Sequence, residues 1–141
     1  MSTPDFASLT TGDIVAEREF ELTRDRLVRY AGASGDFNPI HYRDDIAASV
    51  GLPGVLAHGM LTMGIAASVA TDWLGVAGSV RDVQSRFTRP VPVDAVDGAL
   101  LTVTATVGAV DIDARTARID LKVTFDGATV LGKAQLVAAF A

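Results

Sequence analysis

The segment from Ala57 to Leu74, A-H-G-M-L-T-M-G-I-A-A-S-V-A-T-D-W-L, constrains the fold more than any other. It carries no formal charge between His58 and Asp72, and small residues (Gly59, Gly64, Ala66, Ala67, Ser68, Ala70) recur through it. A surface helix shows one apolar stripe and one charged face, so a helix lacking the charged face is expected to be buried all round. Small side chains let other backbone pack closely against it. The expectation is a central helix wrapped by the rest of the chain. It starts at His58-Gly59, where unpaired N–H groups and a partial positive charge gather. No formal charge occurs from Ile46 through Thr71, yet Pro53-Gly54 breaks the run and His58, Thr62, Ser68 and Thr71 dilute it. That disfavours a membrane span, which needs about 20 mainly apolar residues in one run.

The flanking sequence says what does the wrapping. After a polar lead-in to about Gly12, Ile14 to Leu22 reads as a first strand. Thr23 is a suitable N-cap for a short helix over Arg24 to Ala31, with Leu27, Val28 and Tyr30 as inward candidates. Residues 31–41, A-G-A-S-G-D-F-N-P-I-H, are dense in turn formers and read as irregular. Asp44-Asp45 opens a second short helix over Ile46 to Val50, with acidic charge favoured at its N-terminus. Beyond Gly75 the period changes to two. Val83, Ser85 and Phe87 alternate with polar residues, as do Leu101 to Val107 and Ile119 to Phe125. Asp126-Gly127 is a hairpin signal leading to a last strand from Thr129 to Phe140. Alternation marks sheets with one wet face, which are antiparallel, so a single curved sheet around one helix is expected.

Composition narrows the chemistry. At 141 residues the chain suits one domain with its own core. Its net charge of -5 argues against nucleic acid as partner. The absence of cysteine excludes thiolate sites and disulfides. Two histidines disfavour a multi-histidine metal site within one subunit. M-S-T-P-D-F carries no basic segment followed by an apolar stretch, so a cytoplasmic location is expected.

Catalytic groups are sought in the irregular segment. Ser34, Asp36, Asn38 and His41 stand beside apolar Phe37 and Ile40, and Pro39 fixes the loop shape. A carboxylate and an imidazole on one rigid loop can share a water, as acid/base chemistry requires. The bland reading is that Asp36 caps a turn and His41 is a hydrogen-bonded structural residue.

Y-A-G-A-S-G-D-F-N-P-I-H-Y-R-D-D-I-A (residues 30–47) closely resembles the hydratase signature of the MaoC-like family of (R)-specific enoyl-thioester hydratases and dehydratases. L-A-H-G-M-L-T-M-G (residues 56–64) resembles that family's central-helix start. Within the family the resemblance is nearest to the B subunit of the (3R)-hydroxyacyl-ACP dehydratase of mycolic-acid-type fatty-acid synthesis. The resemblance implies a single hot-dog domain over residues 1–141, a curved antiparallel sheet around a long helix, in the α+β class. It implies that Asp36 and His41 hold the water that adds to C3 of a trans-2-enoyl thioester, with Gly35, Asn38 and Pro39 supporting the loop. The Gly59 backbone N–H would take the charge of the thioester oxygen. His58 would shape the helix start by hydrogen bonding rather than act as a second catalytic histidine. Met60, Met63 and Trp73 would be core or acyl-tunnel lining. Arg86 and Arg89 suit substrate phosphates and ordinary strand-face charge equally, and are not counted in the site. No cofactor and no metal are implied; the substrate rides on CoA or acyl carrier protein. The unit pairs with another hot-dog subunit, as a homodimer or heterodimer. The competing class is a non-catalytic acyl-binding or partner-stabilising subunit.

Overall fold

The computed structural model describes residues 3–141; Met1 and Ser2, where the polar lead-in and its leaderless reading begin, lie outside the described residues. Six strands, β1 (Ile14–Leu22), β2 (Gly78–Phe87), β3 (Ala99–Asp111), β4 (Thr116–Phe125), β5 (Ala128–Thr129) and β6 (Leu131–Phe140), form one antiparallel sheet. Its order is β1-β3-β4-β6-β2, with β5 paired to β4. Three helices, α1 (Arg24–Ser34), α2 (Asp44–Ser49) and α3 (Gly59–Leu74), lie between β1 and β2 in the chain. This is the hot-dog arrangement: α3 lies along the sheet and packs against β1, β2, β3, β4 and β6.

The period-two pattern explains which side of the sheet meets the helix. Leu101, Val103, Ala105 and Val107 on β3, and Ala117, Ile119, Leu121 and Val123 on β4, are buried. Thr62, Ala66, Val69, Ala70 and Leu74 supply the buried stripe of α3, at helical spacing. Because most of them are small, the helix axis can approach the sheet closely. Gly59–Ala77 is long and apolar enough to pass for a membrane span by composition, but it is this domain's core helix.

Several expectations need correction. The central helix is not buried all round: Met60, Gly64 and Thr71 are exposed on one face. α1 runs three residues past Ala31 into the segment expected to be irregular, and Pro39–His41 form a 3-10 turn there. Val28 points outward at 60% exposure, whereas Leu27 and Ala31 are buried. Thr23 stands at the N-cap of α1 but makes no capping bond; its hydroxyl donates instead to the Asp25 carboxylate. Phe87 is 53% exposed rather than inward. The last strand is split at Val130, whose carbonyl accepts the N–H groups of Thr88 and Arg89 at 3.2 and 3.3 Å. Asp44 does more than favour a helix N-terminus. Its two oxygens take Arg24 Nη1 and Nη2, both at 3.0 Å, and Oδ1 also accepts the Val55 N–H at 3.2 Å. One carboxylate thereby joins α1, α2 and the approach to α3.

Candidate active site

The loop between α1 and α2 is built from short side-chain-to-backbone bonds. α1 stops because Gly35 turns into the left-handed region (φ 76°), donating its N–H to Ala31 O at 2.9 Å. Ser34 Oγ accepts the Asp36 N–H at 3.2 Å, Asp36 Oδ1 accepts the Asn38 N–H at 3.2 Å, and Asn38 Oδ1 accepts the Ile40 N–H at 3.2 Å. Each bond spans two residues, the spacing Ser, Asp and Asn favour in turns. Pro39 opens the 3-10 turn, where a missing N–H costs nothing. Asp36 and His41 are thus displayed from a loop with little freedom.

The chain before α3 holds this loop from the other side. Leu56 donates its N–H to Ile40 O at 3.1 Å, and its own carbonyl lies 2.7 Å from His41 Nδ1. A carbonyl only accepts, so the proton of a neutral His41 sits on Nδ1 and the lone pair on Nε2. Nε2 lies 3.9 Å from Asp36 Oδ2; the imidazole is 11% exposed and the carboxylate 51%. His58, 1% exposed, stacks on His41 with ring centroids 3.8 Å apart and 23° between planes. Its Nε2 lies 3.2 Å from Asp36 O, so it donates to the loop and makes no capping bond to α3. Burial pushes the His58 imidazole below its ordinary value, outweighing the hydrogen bond to Asp36 O that acts the other way.

Asp36 and His41 meet at a cavity of about 400 Å³ whose lining also includes Gly59, Met60, Phe87 and Arg89 but not His58. Gly59 is the first residue of α3, and among the described residues no acceptor takes its N–H. The Phe87 ring covers it: a Cβ at Gly59 would lie 2.8 Å from Phe87 Cδ1. Asn38, Pro39 and Gly35 shape the loop but do not line the cavity, and Arg86 is not in its wall. Val130 and Leu131, which do line it, carry no local signal, since they reach the site only through the register of β6 on β2.

Asp36, His41 and His58 each offer a ligand atom within 4.8 Å of the others. They do not make a metal site. A metal sits about 2 Å from nitrogen in the plane of the ring, and two rings stacked 3.8 Å apart cannot aim in-plane lone pairs at one point.

Residues 5–125 match the family model described as "MaoC like domain". Along almost its whole length the chain is similar to a solved MaoC-like dehydratase, at 36% identity and a TM-score of 0.93, covering 99% of this chain and 43% of that one. It is similar to an R-hydratase from Pseudomonas aeruginosa in the unliganded form, at 30% identity and a TM-score of 0.79, covering 96% of this chain and 86% of that one. It is 39% identical over 77 residues to 3-hydroxyacyl-thioester dehydratase X of Mycobacterium tuberculosis, or 55% of this chain and 26% of that protein. The matches span only 3–26% of the curated relatives' own lengths.

Proposed function

Since the chain belongs to the MaoC-like domain family, we propose that it is a lyase that hydrates trans-2-enoyl thioesters and, in reverse, dehydrates (3R)-hydroxyacyl thioesters in fatty-acid metabolism. The observation that carries this is the 3.9 Å gap between His41 Nε2 and Asp36 Oδ2 at the wall of a largely apolar cavity. The gap is too long for a direct hydrogen bond, but a water about 2.8 Å from each atom bridges it at an angle of ~90°.

The His41 tautomer sets the direction of proton flow. With Nδ1–H held by Leu56 O, Nε2 carries the lone pair that takes a proton from the water. The water oxygen bonds to C3 as the C2–C3 π pair moves toward the thioester carbonyl. The oxygen that gains charge receives the Gly59 N–H at the positive end of α3. As the carbonyl re-forms, C2 takes the proton from His41, so one water is added and the pair returns to its starting state. The Asp36 carboxylate accepts a hydrogen bond from the water's second O–H, which stays on oxygen as the product hydroxyl, and stabilises the imidazolium in between. CoA and acyl carrier protein both present such a thioester.

A second hot-dog unit, whether a copy or a relative, completes the assembly. The uncharged face of α3 at Met60, Gly64 and Thr71 is exposed in the single chain, and apolar surface of that kind marks a contact. The test is hydration of crotonyl-CoA and of a longer trans-2-enoyl thioester, followed by loss of the enoyl-thioester absorbance. Asp36→Asn and His41→Ala should each lower kcat by about 10²–10⁴-fold while leaving the circular dichroism unchanged. Turnover that survives both substitutions, or a folded wild type that is inert to both substrates in its complete assembly, overturns the proposal.

A further inference from the structure

Taking Asp36 and His41 as the hydratase pair, we infer that His58 is a positioning residue. It remains a neutral imidazole, anchors the Asp36 carbonyl and the His41 ring, and leaves His41 as the only histidine in the site that carries the reaction's proton.

The placement of His58 serves both anchors with one ring. Its Nε2–H reaches from the start of α3 to Asp36 O at 3.2 Å, holding the backbone from which the Asp36 carboxylate is displayed. Its face supports His41 at 3.8 Å, while Leu56 O holds the edge of that ring at 2.7 Å. His41 is therefore fixed in plane by one contact and out of plane by the other, so Nε2 points steadily toward the gap facing Asp36. Positioning of that kind is what a 1 Å error degrades most.

The same contacts keep His58 uncharged. Its second nitrogen, Nδ1, is buried and has no hydrogen-bond partner among the described residues. Protonation there would create a buried donor with nothing to receive it. It would also set a cation against His41 whenever that ring takes the water proton. The titratable groups facing His58 are Tyr30 of α1, edge-on at 4.8 Å, and Asp36 and His41 of the loop. On α3 the one titratable side chain is Asp72, about four turns away. Only Asp36 could offset a charge on His58: its carbonyl accepts the His58 N–H and its carboxylate lies within 4.8 Å of the ring, and burial outweighs both. Burial lowers the His58 pKa, in the same direction.

Because the chain has two histidines, both rings can be read directly by two-bond ¹H–¹⁵N NMR on the whole protein. The expected result is opposite tautomers, Nδ1–H for His41 and Nε2–H for His58, with His58 still mostly neutral at pH 6.5, where an ordinary imidazole is half protonated. A His58 that is half or more protonated at pH 6.5, or an Nδ1–H tautomer, overturns the inference. Kinetics supplies the second arm. His58→Leu should lower kcat about 10–100-fold with KM changed less than about threefold. His58→Gln, whose amide N–H can still reach Asp36 O, should recover most of that loss. Equal losses in the two variants, or a loss confined to KM, overturn it. Should His58→Leu fail to fold, the glutamine variant and the wild-type spectrum still decide. A wild type inert to enoyl thioesters overturns the hydratase reading alone, and the spectrum then decides the inference about His58.

Discussion

Gly59 joins an open backbone donor to a crowded Cβ position. Its N–H is the open donor at the start of α3, and the Phe87 ring occupies the space a Cβ would need, 2.8 Å from the nearest ring carbon. Phe87 is half exposed and can swing outward, so Gly59→Ala should change folding stability by less than ~1 kcal/mol. It should nonetheless lower kcat/KM about tenfold or more, because the Phe87 ring that the methyl displaces lines the cavity through which the thioester reaches the donor. A chemical-denaturation midpoint beside steady-state kinetics checks this, and unchanged kcat/KM would remove Gly59 from the proposed oxyanion site. At this scale the local part of the site was legible. Asp36, Asn38, Pro39 and His41 define a loop through bonds two residues long, which spacing alone can announce. The orienting contacts were not legible. His41 is held by a carbonyl 15 residues away and Asp36 by a ring 22 residues away, and no local pattern encodes such pairs. The role anticipated for His58 at its own helix start missed its bond to the loop for that reason.

Among the elements, α3 shows most clearly where sequence pattern stops being sufficient. Its lack of charge led to the expectation of complete burial, and one chain buries only the stripe from Thr62 to Leu74. A face can be uncharged because a second subunit covers it, and a single sequence does not separate the two causes. The strands were more legible, since each inward residue on β3 and β4 keeps the period of two. The break at Val130 was not, because it is set by the exit of β2 lying against it. Gly64 gives a clean test of whether a second subunit covers this face. It is exposed, and a Cβ there would meet nothing within 4 Å, so a longer side chain fits the single chain. Replacing a mid-helix glycine also favours the helix by up to ~1 kcal/mol. Gly64→Lys should therefore fold with unimpaired helicity while dissociating the assembly, since an unpaired charge buried at an interface costs several kcal/mol. Sedimentation of wild type and variant decides it: an unchanged assembly size would mean that this face is not the contact.

For the molecule as a whole, the buried neutral imidazole ties folding to pH. Burial lowers the His58 pKa below the 6.5 it has when exposed in the unfolded chain. Below 6.5 the unfolded chain therefore binds a proton that the folded one resists. Stability should be full above that value and decline as pH falls through it, levelling only below the folded-state pKa. For one proton the slope cannot exceed about 1.4 kcal/mol per pH unit. The carboxylates held low, Asp44 by Arg24, Asp45 by Arg43, Asp25 by Thr23 and Asp94 by backbone N–H groups, have the opposite kind of window. Their contribution is present above their ordinary 3.8 and fades only below it. The interval from about pH 6.5 down to about 4 is thus where His58 can be distinguished from them. Thermal unfolding across that interval should show the wild type losing stability more steeply than His58→Gln, which cannot take the proton. Parallel curves would mean that the folded protein accommodates a charged His58. The neutral support beneath His41 would then have to come from another group.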